Sequence, residues 1–142
     1  MNQFKNLIVW KKSLMLAGKV YELTEKLPSK EKFGLTTQIN RAVISISSNI
    51  AEGAGRNSSR EFNYFLSIAN GSSYELETQL LLCTELNYFQ NEEIEETSNL
   101  IQEIQKMIYS LQSKLKKEYN NQNKNEAGLG LKSQDSRLKT QD

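Results

Sequence analysis

Apolar residues recur at helical spacing in four stretches of the chain, and polar segments separate them. The first stretch covers residues 7–27 and stops at Pro28, whose ring removes an N–H donor. The second covers residues 35–50 and is expected to end at Gly53 and Gly55. Its residues also alternate as in a strand, but no other segment could pair with such a strand, so the pattern favours a helix.

The third and fourth stretches carry clearer boundary signals. Ser58 followed by Glu61 predicts a capping box at the start of helix 3, which runs to Leu86. Gly71 lies inside this helix, so we expect a neighbouring backbone to approach closely there and offset the low helix propensity of glycine. Helix 4 repeats large aliphatic residues at alternating spacings of three and four as far as Leu115.

The ends of helix 4 carry opposite charges. Glutamates fill its first turns, and Lys114, Lys116 and Lys117 are expected to fill its last, where each sign complements the helix macrodipole. From Asn120 onward the chain is rich in Asn, Gln, Gly, Ser and Lys and has few large apolar residues. Such a segment cannot bury enough apolar surface to order itself, so a disordered tail is expected.

The spacing of apolar residues predicts which side of a helix faces the core, and the structure can test that prediction. In helix 1 the expected seam is Leu7, Trp10, Leu14, Ala17, Tyr21 and Thr24, widened by Leu16, Val20, Leu23 and Leu27. In helix 2 it is Leu35, Ile39, Ala42, Val43, Ile46 and Ile50. In helix 4 it is Ile94, Thr97, Ile101, Ile104, Ile108, Leu111 and Leu115. Short connections make neighbouring helices antiparallel, so we expect an all-α, up-down-up-down four-helix bundle over residues 1–119, followed by the tail at 120–142.

The composition excludes several kinds of chemistry. The chain has no histidine, which removes the Glu-x-x-His pairs of di-metal bundles and the usual activator of a nucleophilic serine. The single cysteine, Cys83, cannot form an intrachain disulfide and suits a buried position. No stretch is apolar enough to span a membrane. We therefore expect a cytoplasmic protein that is not an enzyme and has no catalytic residues, metal or cofactor.

Charge is unevenly distributed along a chain whose formal net charge is only +1. Residues 1–60 carry ten Lys or Arg against four Glu, and residues 61–119 carry four Lys against ten Glu. The candidate nucleic-acid contacts in the basic half are Lys5, Lys11, Lys12, Lys19, Lys26, Arg56 and Arg60. Three interpretations stay open: these side chains contact phosphates, they pair with the acidic half of a second copy, or they are solvated faces.

Asn49 and Glu52 lie three residues apart near the end of helix 2, and Arg41 lies about two turns upstream of Asn49 on a similar face. We expect them to form a structural polar network that ties the connection between helices 2 and 3. Ligand binding is the alternative role for the same residues.

The sequence resembles the four-helix-bundle proteins encoded in intervening sequences of bacterial 23S rRNA genes, to which the accessory protein of diversity-generating retroelements is also similar. The resemblance covers about residues 4–118. It rests on Trp10 to Lys12, Phe33-Gly34-Leu35, Gln38, Arg41-Ala42, Ser45-Ile46, the run Ser48-Asn49-Ile50-Ala51-Glu52-Gly53, Arg56, Glu61-Phe62, Phe65-Leu66, Ile68-Ala69, Gly71-Ser72 and Glu75-Leu76-Glu77.

The resemblance implies a ring-shaped homopentamer of four-helix protomers and no known catalysis. In the retroelement relatives it also implies binding to a reverse transcriptase and to nucleic acid through a basic surface. The function expected from the sequence is therefore a self-assembling bundle that binds RNA or a nucleoprotein, with no small-molecule substrate. The alternative is an oligomeric protein-interaction scaffold without nucleic acid.

Overall fold

The computed structural model describes residues 4–138, with side chains as far as residue 130. It contains four α-helices, α1 (Ile8–Thr24), α2 (Leu35–Ala54), α3 (Ser59–Glu85) and α4 (Asn91–Leu138), with 3₁₀ turns at Phe4–Asn6 and Ser29–Glu31. No strand occurs in this part of the chain, so the all-α fold class is confirmed.

The helices form an antiparallel four-helix bundle. Each helix packs against the next one in sequence, and α1 closes the bundle against α4. Within residues 4–138 the Cα atoms of the diagonal pairs, α1 with α3 and α2 with α4, stay more than 8 Å apart. The helices therefore sit at the corners of a square, in which the α1–α2 edge lies opposite the α3–α4 edge.

Aliphatic side chains from all four helices fill the core. The expected core faces of helices 2 and 4 are confirmed, since Ile39, Ile46, Ile101, Ile104 and Ile108 are completely buried. Burial of one such side chain stabilises the fold by about 1.5–3 kcal/mol relative to exposure. Apolar burial in the bundle is therefore the main source of its stability.

The core face of α1 is rotated relative to the expected seam, of which Thr24 is buried and Leu7, Trp10 and Ala17 pack at the margin of the core. Leu16 and Val20, expected only to widen the seam, are completely buried, whereas Leu14 and Tyr21 are 46% and 41% exposed. Spacings of three and four residues can be traced through either set, because α1 carries apolar residues around most of its circumference. As a result, α1 presents apolar side chains to solvent as well as to the core.

Gly53 and Gly71 play different roles from those expected. Gly53 lies inside α2 rather than ending it, and a Cβ added there would lie 2.7 Å from Cβ of Phe65. Only glycine allows α2 and α3 to approach so closely at this point. The expected close approach at Gly71 was wrong, because an added Cβ would meet nothing within 4 Å.

Both ends of α3 are capped. The amide of Glu61 donates to Oγ of Ser58 at 3.3 Å, which confirms the predicted cap. At the other end Asn87 adopts a left-handed conformation with φ of 60°. The amides of Asn87 and Tyr88 then donate to the carbonyls of Thr84 and Cys83 at 3.0 and 2.9 Å, which completes a Schellman motif.

The last helix is longer than the apolar pattern indicates. α4 continues to Leu138, past residue 119, after which the sequence predicted a disordered tail, while residues 139–142 lie outside the described part. All side chains of residues 120–130 are exposed. The backbone hydrogen bonds of α4 thus continue past the point where core contacts stop, although Asn and Gly, which are frequent there, have low helix propensity. The division into a bundle domain and a separate tail stays a prediction.

Candidate nucleic-acid interface

Two of the lysines predicted to contact nucleic acid form ion pairs with glutamates of the same chain, on the surface of the bundle. Lys12 on α1 forms an ion pair with Glu103 on α4, and Lys19 forms another with Glu96 at 2.6 Å. The two lysines and the two glutamates are each seven residues apart, so antiparallel packing of α1 on α4 sets both pairs in register. Exposed pairs contribute at most about 1 kcal/mol to stability, but each glutamate offsets the positive potential of its lysine.

Cations gather where α1 begins, α2 ends, α3 begins and the bundle part of α4 finishes. Oγ of Ser59 at the start of α3 donates to a carboxylate oxygen of Glu118 on α4 at 2.9 Å. The start of α1 reaches the same region, because residues 6–9 and Lys114 line one groove of about 590 Å³. We call this region the basic end. It carries six exposed cations, Lys5, Arg56, Arg60, Lys114, Lys116 and Lys117, against the exposed Glu52, Glu61 and Glu118.

Acidic side chains gather at the opposite end of the bundle. The hydroxyl of Tyr88, in the turn between α3 and α4, donates to Glu31 in the connection between α1 and α2 at 3.3 Å, which places both connections together. We call this region the acidic end. It carries Glu22, Glu25, Glu31, Glu85, Glu92, Glu93, Glu95 and Glu96 against Lys19, Lys26, Lys30 and Lys32.

The charge of the protein is thus divided along the bundle axis and not between the two halves of the sequence. Residues 1–60 and residues 61–119 each run the length of the bundle twice, so neither half forms a face of its own. Of the predicted contacts, Lys26 lies at the acidic end, while Lys5, Arg56 and Arg60 lie at the basic end. Lys11 is exposed on the outer side of α1.

Sequence reasoning missed the three lysines of α4. Lys114, Lys116 and Lys117 were assigned to the last turn of helix 4, where they would satisfy terminal carbonyl groups. Because α4 continues to Leu138, these lysines lie in mid-helix and have no terminus to stabilise. The up-down topology could have placed them beside Arg60, since the bundle part of α4 must finish where α3 begins.

Both arginines of the basic end lie against aromatic rings. The guanidinium of Arg56 lies 5.0 Å from the ring centroid of Phe65, and that of Arg60 lies 5.3 Å from Tyr119. Arg56 also forms an ion pair with Glu52 at 3.0 Å. Stacking on a ring leaves the N–H groups at the edge of a guanidinium free to donate, which is the geometry that binds phosphate oxygens.

Comparison with known proteins identifies the family. A family model described as 23S rRNA-intervening sequence protein matches residues 5–110. The chain belongs to this family. A solved structure of a protein of unknown function from the S23 ribosomal protein family of Bacteroides thetaiotaomicron is 32% identical, with a TM-score of 0.68. That alignment covers 73% of this chain and 97% of the other. No curated protein matches the chain.

The predicted membership of the 23S rRNA-intervening sequence family is therefore confirmed, while the similarity to the retroelement accessory protein stays a prediction. The description of the solved relative assigns it no activity, and nothing in the comparisons points to catalysis.

The structure does not bring together the expected network of Arg41, Asn49 and Glu52. Arg41 is exposed and has no hydrogen-bond partner in the described part of the chain, and Glu52 pairs with Arg56. The amide of Asn49 donates to the carbonyl of Ser45 at 2.8 Å and to its hydroxyl at 3.0 Å. The hydroxyls of Ser45 and Ser72 lie 2.8 Å apart. Asn49 thus supports, within α2, the serine pair that joins α2 to α3.

The remaining reactive groups do not form a site. Cys83 is buried, and burial, followed by the charge of Glu31, raises the pKa of its thiol, so the thiol stays protonated. Among the residues with described side chains, no cluster of three or more acidic or cysteine residues could hold a metal ion. None of the helices in residues 4–138 is long and apolar enough to cross a membrane.

Proposed function

We propose that this 23S rRNA-intervening sequence protein is a non-catalytic cytoplasmic bundle that self-assembles and binds RNA, alone or in a nucleoprotein, through its basic end. The observation that supports RNA binding most directly is the gathering of six exposed cations at one end. Of these, only Arg56 has an ion-pair partner among the described residues. The sequence resemblance adds a reverse transcriptase as the candidate protein component of such a nucleoprotein.

The chemistry of the basic end suits a phosphate backbone. Lysines supply mobile point charges, and arginines stacked on rings supply oriented donors. Binding to phosphates releases condensed counterions, so affinity from such a surface falls steeply with salt. The description of the family names 23S rRNA, which makes a structured fragment of that RNA the first probe.

The support for self-assembly is the number of large apolar side chains on the bundle surface. Ile8, Leu14 and Met15 on α1 and Tyr64, Leu81 and Leu82 on α3 are between 43% and 62% exposed. Apolar surface of this extent on a small domain is typical of a protein that binds other chains. The ring-shaped homopentamer is the assembly that the family resemblance implies, and native mass measurement tests it.

The test compares two variants that each lose three positive charges. Removing the α4 lysines with K114Q/K116Q/K117Q should weaken binding to the RNA fragment about 100-fold at physiological salt. The same variant should lower the slope of log affinity against log salt by about 2–3, measured by fluorescence anisotropy between about 50 and 200 mM salt.

The matched control is K12Q/K19Q/K26Q, which removes two paired lysines and one at the acidic end. It should change the affinity less than about 3-fold, because these side chains add little potential at the basic end. Equal losses in both variants, or no loss in the first, would contradict the proposal. An intact oligomer that binds neither RNA nor duplex DNA would favour the scaffold alternative, which the internal pairing of Lys12 and Lys19 supports.

A further inference from the structure

Phe33 has the most exposed of the large hydrophobic side chains in the described part of the chain, with 90% of its surface open to solvent. It lies between the second 3₁₀ turn and α2, at the acidic end of the α1–α2 edge. The ammonium group of Lys32 lies 5.6 Å from its ring centroid, and the ring takes no part in the core. An exposed aromatic ring is a typical anchor of an interface, since its burial contributes strongly to binding.

The loop that carries Phe33 is held firmly in place. The carboxylate of Glu31 accepts from the amide of Leu35 at 3.2 Å and from the hydroxyl of Tyr88 at 3.3 Å. The hydroxyl of Thr37 donates to the carbonyl of Lys32 at 2.6 Å. A partner that binds Phe33 therefore loses little free energy to loop ordering, because the loop is ordered in the free chain.

A groove of about 270 Å³ lies on the α3–α4 edge at the same end of the bundle. Leu81 and Ile94 supply its apolar surface, and Leu81 is 51% exposed. Glu92 and Glu95 line its rim. Because the α1–α2 edge lies opposite the α3–α4 edge, Phe33 cannot reach the groove of its own chain.

We propose that Phe33 of one copy inserts into the groove of the next copy, so that the α1–α2 edge of each chain packs on the α3–α4 edge of its neighbour. Charge complementarity favours a second copy as the occupant. Lys32 directly precedes Phe33, and Lys30 lies over the ring of Tyr88 in the neighbouring connection. In the assembly these two lysines would meet Glu92 and Glu95 of the groove. This inference rests on the self-assembly part of the proposed function and names the contact that carries it.

Both edges also carry exposed large apolar or aromatic side chains away from this contact. On the α1–α2 edge, Tyr21 precedes Thr24 by one helical turn, and Thr24 contacts Asn40 of α2. Ile44, one turn after Asn40, is 46% exposed on the same edge. On the α3–α4 edge, Tyr74 and Tyr109 line a second groove. A contact between two different edges is heterologous, so it repeats from copy to copy and closes into a ring when the rotation permits.

The first test removes the anchor. F33A should weaken subunit association about 30-fold or more, measured by sedimentation velocity over a concentration series, because a central aromatic anchor is typically worth that factor. Its far-UV circular dichroism spectrum should match that of the wild type, since Phe33 makes no core contact. L129A is the control, because Leu129 is a 68% exposed apolar side chain on α4 beyond the core of the bundle, and it should leave the association unchanged.

Charge reversal tests the named partner groove. K30E/K32E and E92K/E95K should each dissociate the assembly, and the quadruple variant K30E/K32E/E92K/E95K should restore it. Wild-type protein that stays monomeric would overturn both the self-assembly proposal and this contact. A wild-type oligomer whose mass is unchanged by F33A, or a quadruple variant as dissociated as its two parents, would overturn this contact alone and leave self-assembly standing.

Discussion

Different interactions hold the helices together at the two ends of the bundle. At the acidic end, charged and polar groups satisfy backbone amides: Glu31 accepts from the first turn of α2, and Glu93 accepts from the amide of Gln90 at 3.1 Å before α4. Glu92 and Glu93 also lie in the first turn of α4, where the macrodipole favours negative charge. Much of the acidic charge therefore stabilises helix starts.

At the basic end the closure depends on close packing. Gly53 of α2 meets Phe62 and Phe65 of α3, and no lysine takes part in that contact. Lys114, Lys116 and Lys117 stabilise no helix terminus, because α4 continues beyond them. The comparison shows that the fold uses several carboxylates at one end, whereas five of the six cations at the other end have no ion-pair partner among the described residues.

The largest effect on stability should come from the glycine contact at the basic end. G53A places a Cβ 2.7 Å from Cβ of Phe65, so α2 and α3 must separate locally. Overpacking of this kind destabilises by about 1–3 kcal/mol. Denaturant unfolding should show this loss with an unchanged m-value.

G71A is the matched control for this glycine, because it makes the same change within a helix at a position with open space. It should stabilise the protein by up to about 1 kcal/mol through helix propensity. The difference between the two variants isolates the packing contribution, since the propensity gain is common to both. Equal effects would mean that the close approach at Gly53 does not constrain the bundle.

The next effect, at the acidic end, concerns Glu31. E31A removes the acceptor for the amide of Leu35 and for the hydroxyl of Tyr88, and should destabilise the protein by about 1–2 kcal/mol. E25A is the control, because that side chain is exposed and no hydrogen bond or ion pair is described for it. It should stay within about 0.5 kcal/mol of the wild type. A loss in E25A as large as in E31A would show that net charge, and not the cap, is responsible.

The sequence predicts most of this fold because its signals are local. The apolar residues of α4 repeat at regularly alternating spacings of three and four, and Ser58 with Glu61 marks a helix start, so both could be identified from neighbouring residues. The core face of α1 could not, because apolar residues surround the helix and only its packing partners select one side. The end of α4 was also missed, since its last residues form backbone hydrogen bonds without any apolar pattern.

The candidate site was harder to predict than the fold because charges from distant parts of the chain combine to form it. Arg56 and Arg60 were identified from sequence, but Lys114 joins them only through antiparallel packing of α3 on α4. Ion pairing makes other predicted residues weaker candidates. Lys12 and Lys19 were predicted to contact nucleic acid, but glutamates of α4 pair with both. A count of charges along the chain contains neither effect.

The smallest expected effect concerns the left-handed residue that closes α3. Asn87 has a φ of 60°, a conformation that asparagine tolerates better than other side chains and glycine adopts without steric strain. N87G should therefore stabilise the protein by about 0.5 kcal/mol, and N87A should destabilise it by about 1 kcal/mol, in thermal or denaturant unfolding.

Asn57 provides the control for Asn87, because it is exposed in the connection at the basic end and has no left-handed conformation. N57A should be close to neutral, and N57G should not stabilise. If N87A is as stable as the wild type, the Schellman motif does not hold this turn. The stability of the acidic end would then depend more on Glu31 and on Phe89, which is 97% buried, than on the backbone hydrogen bonds of the turn.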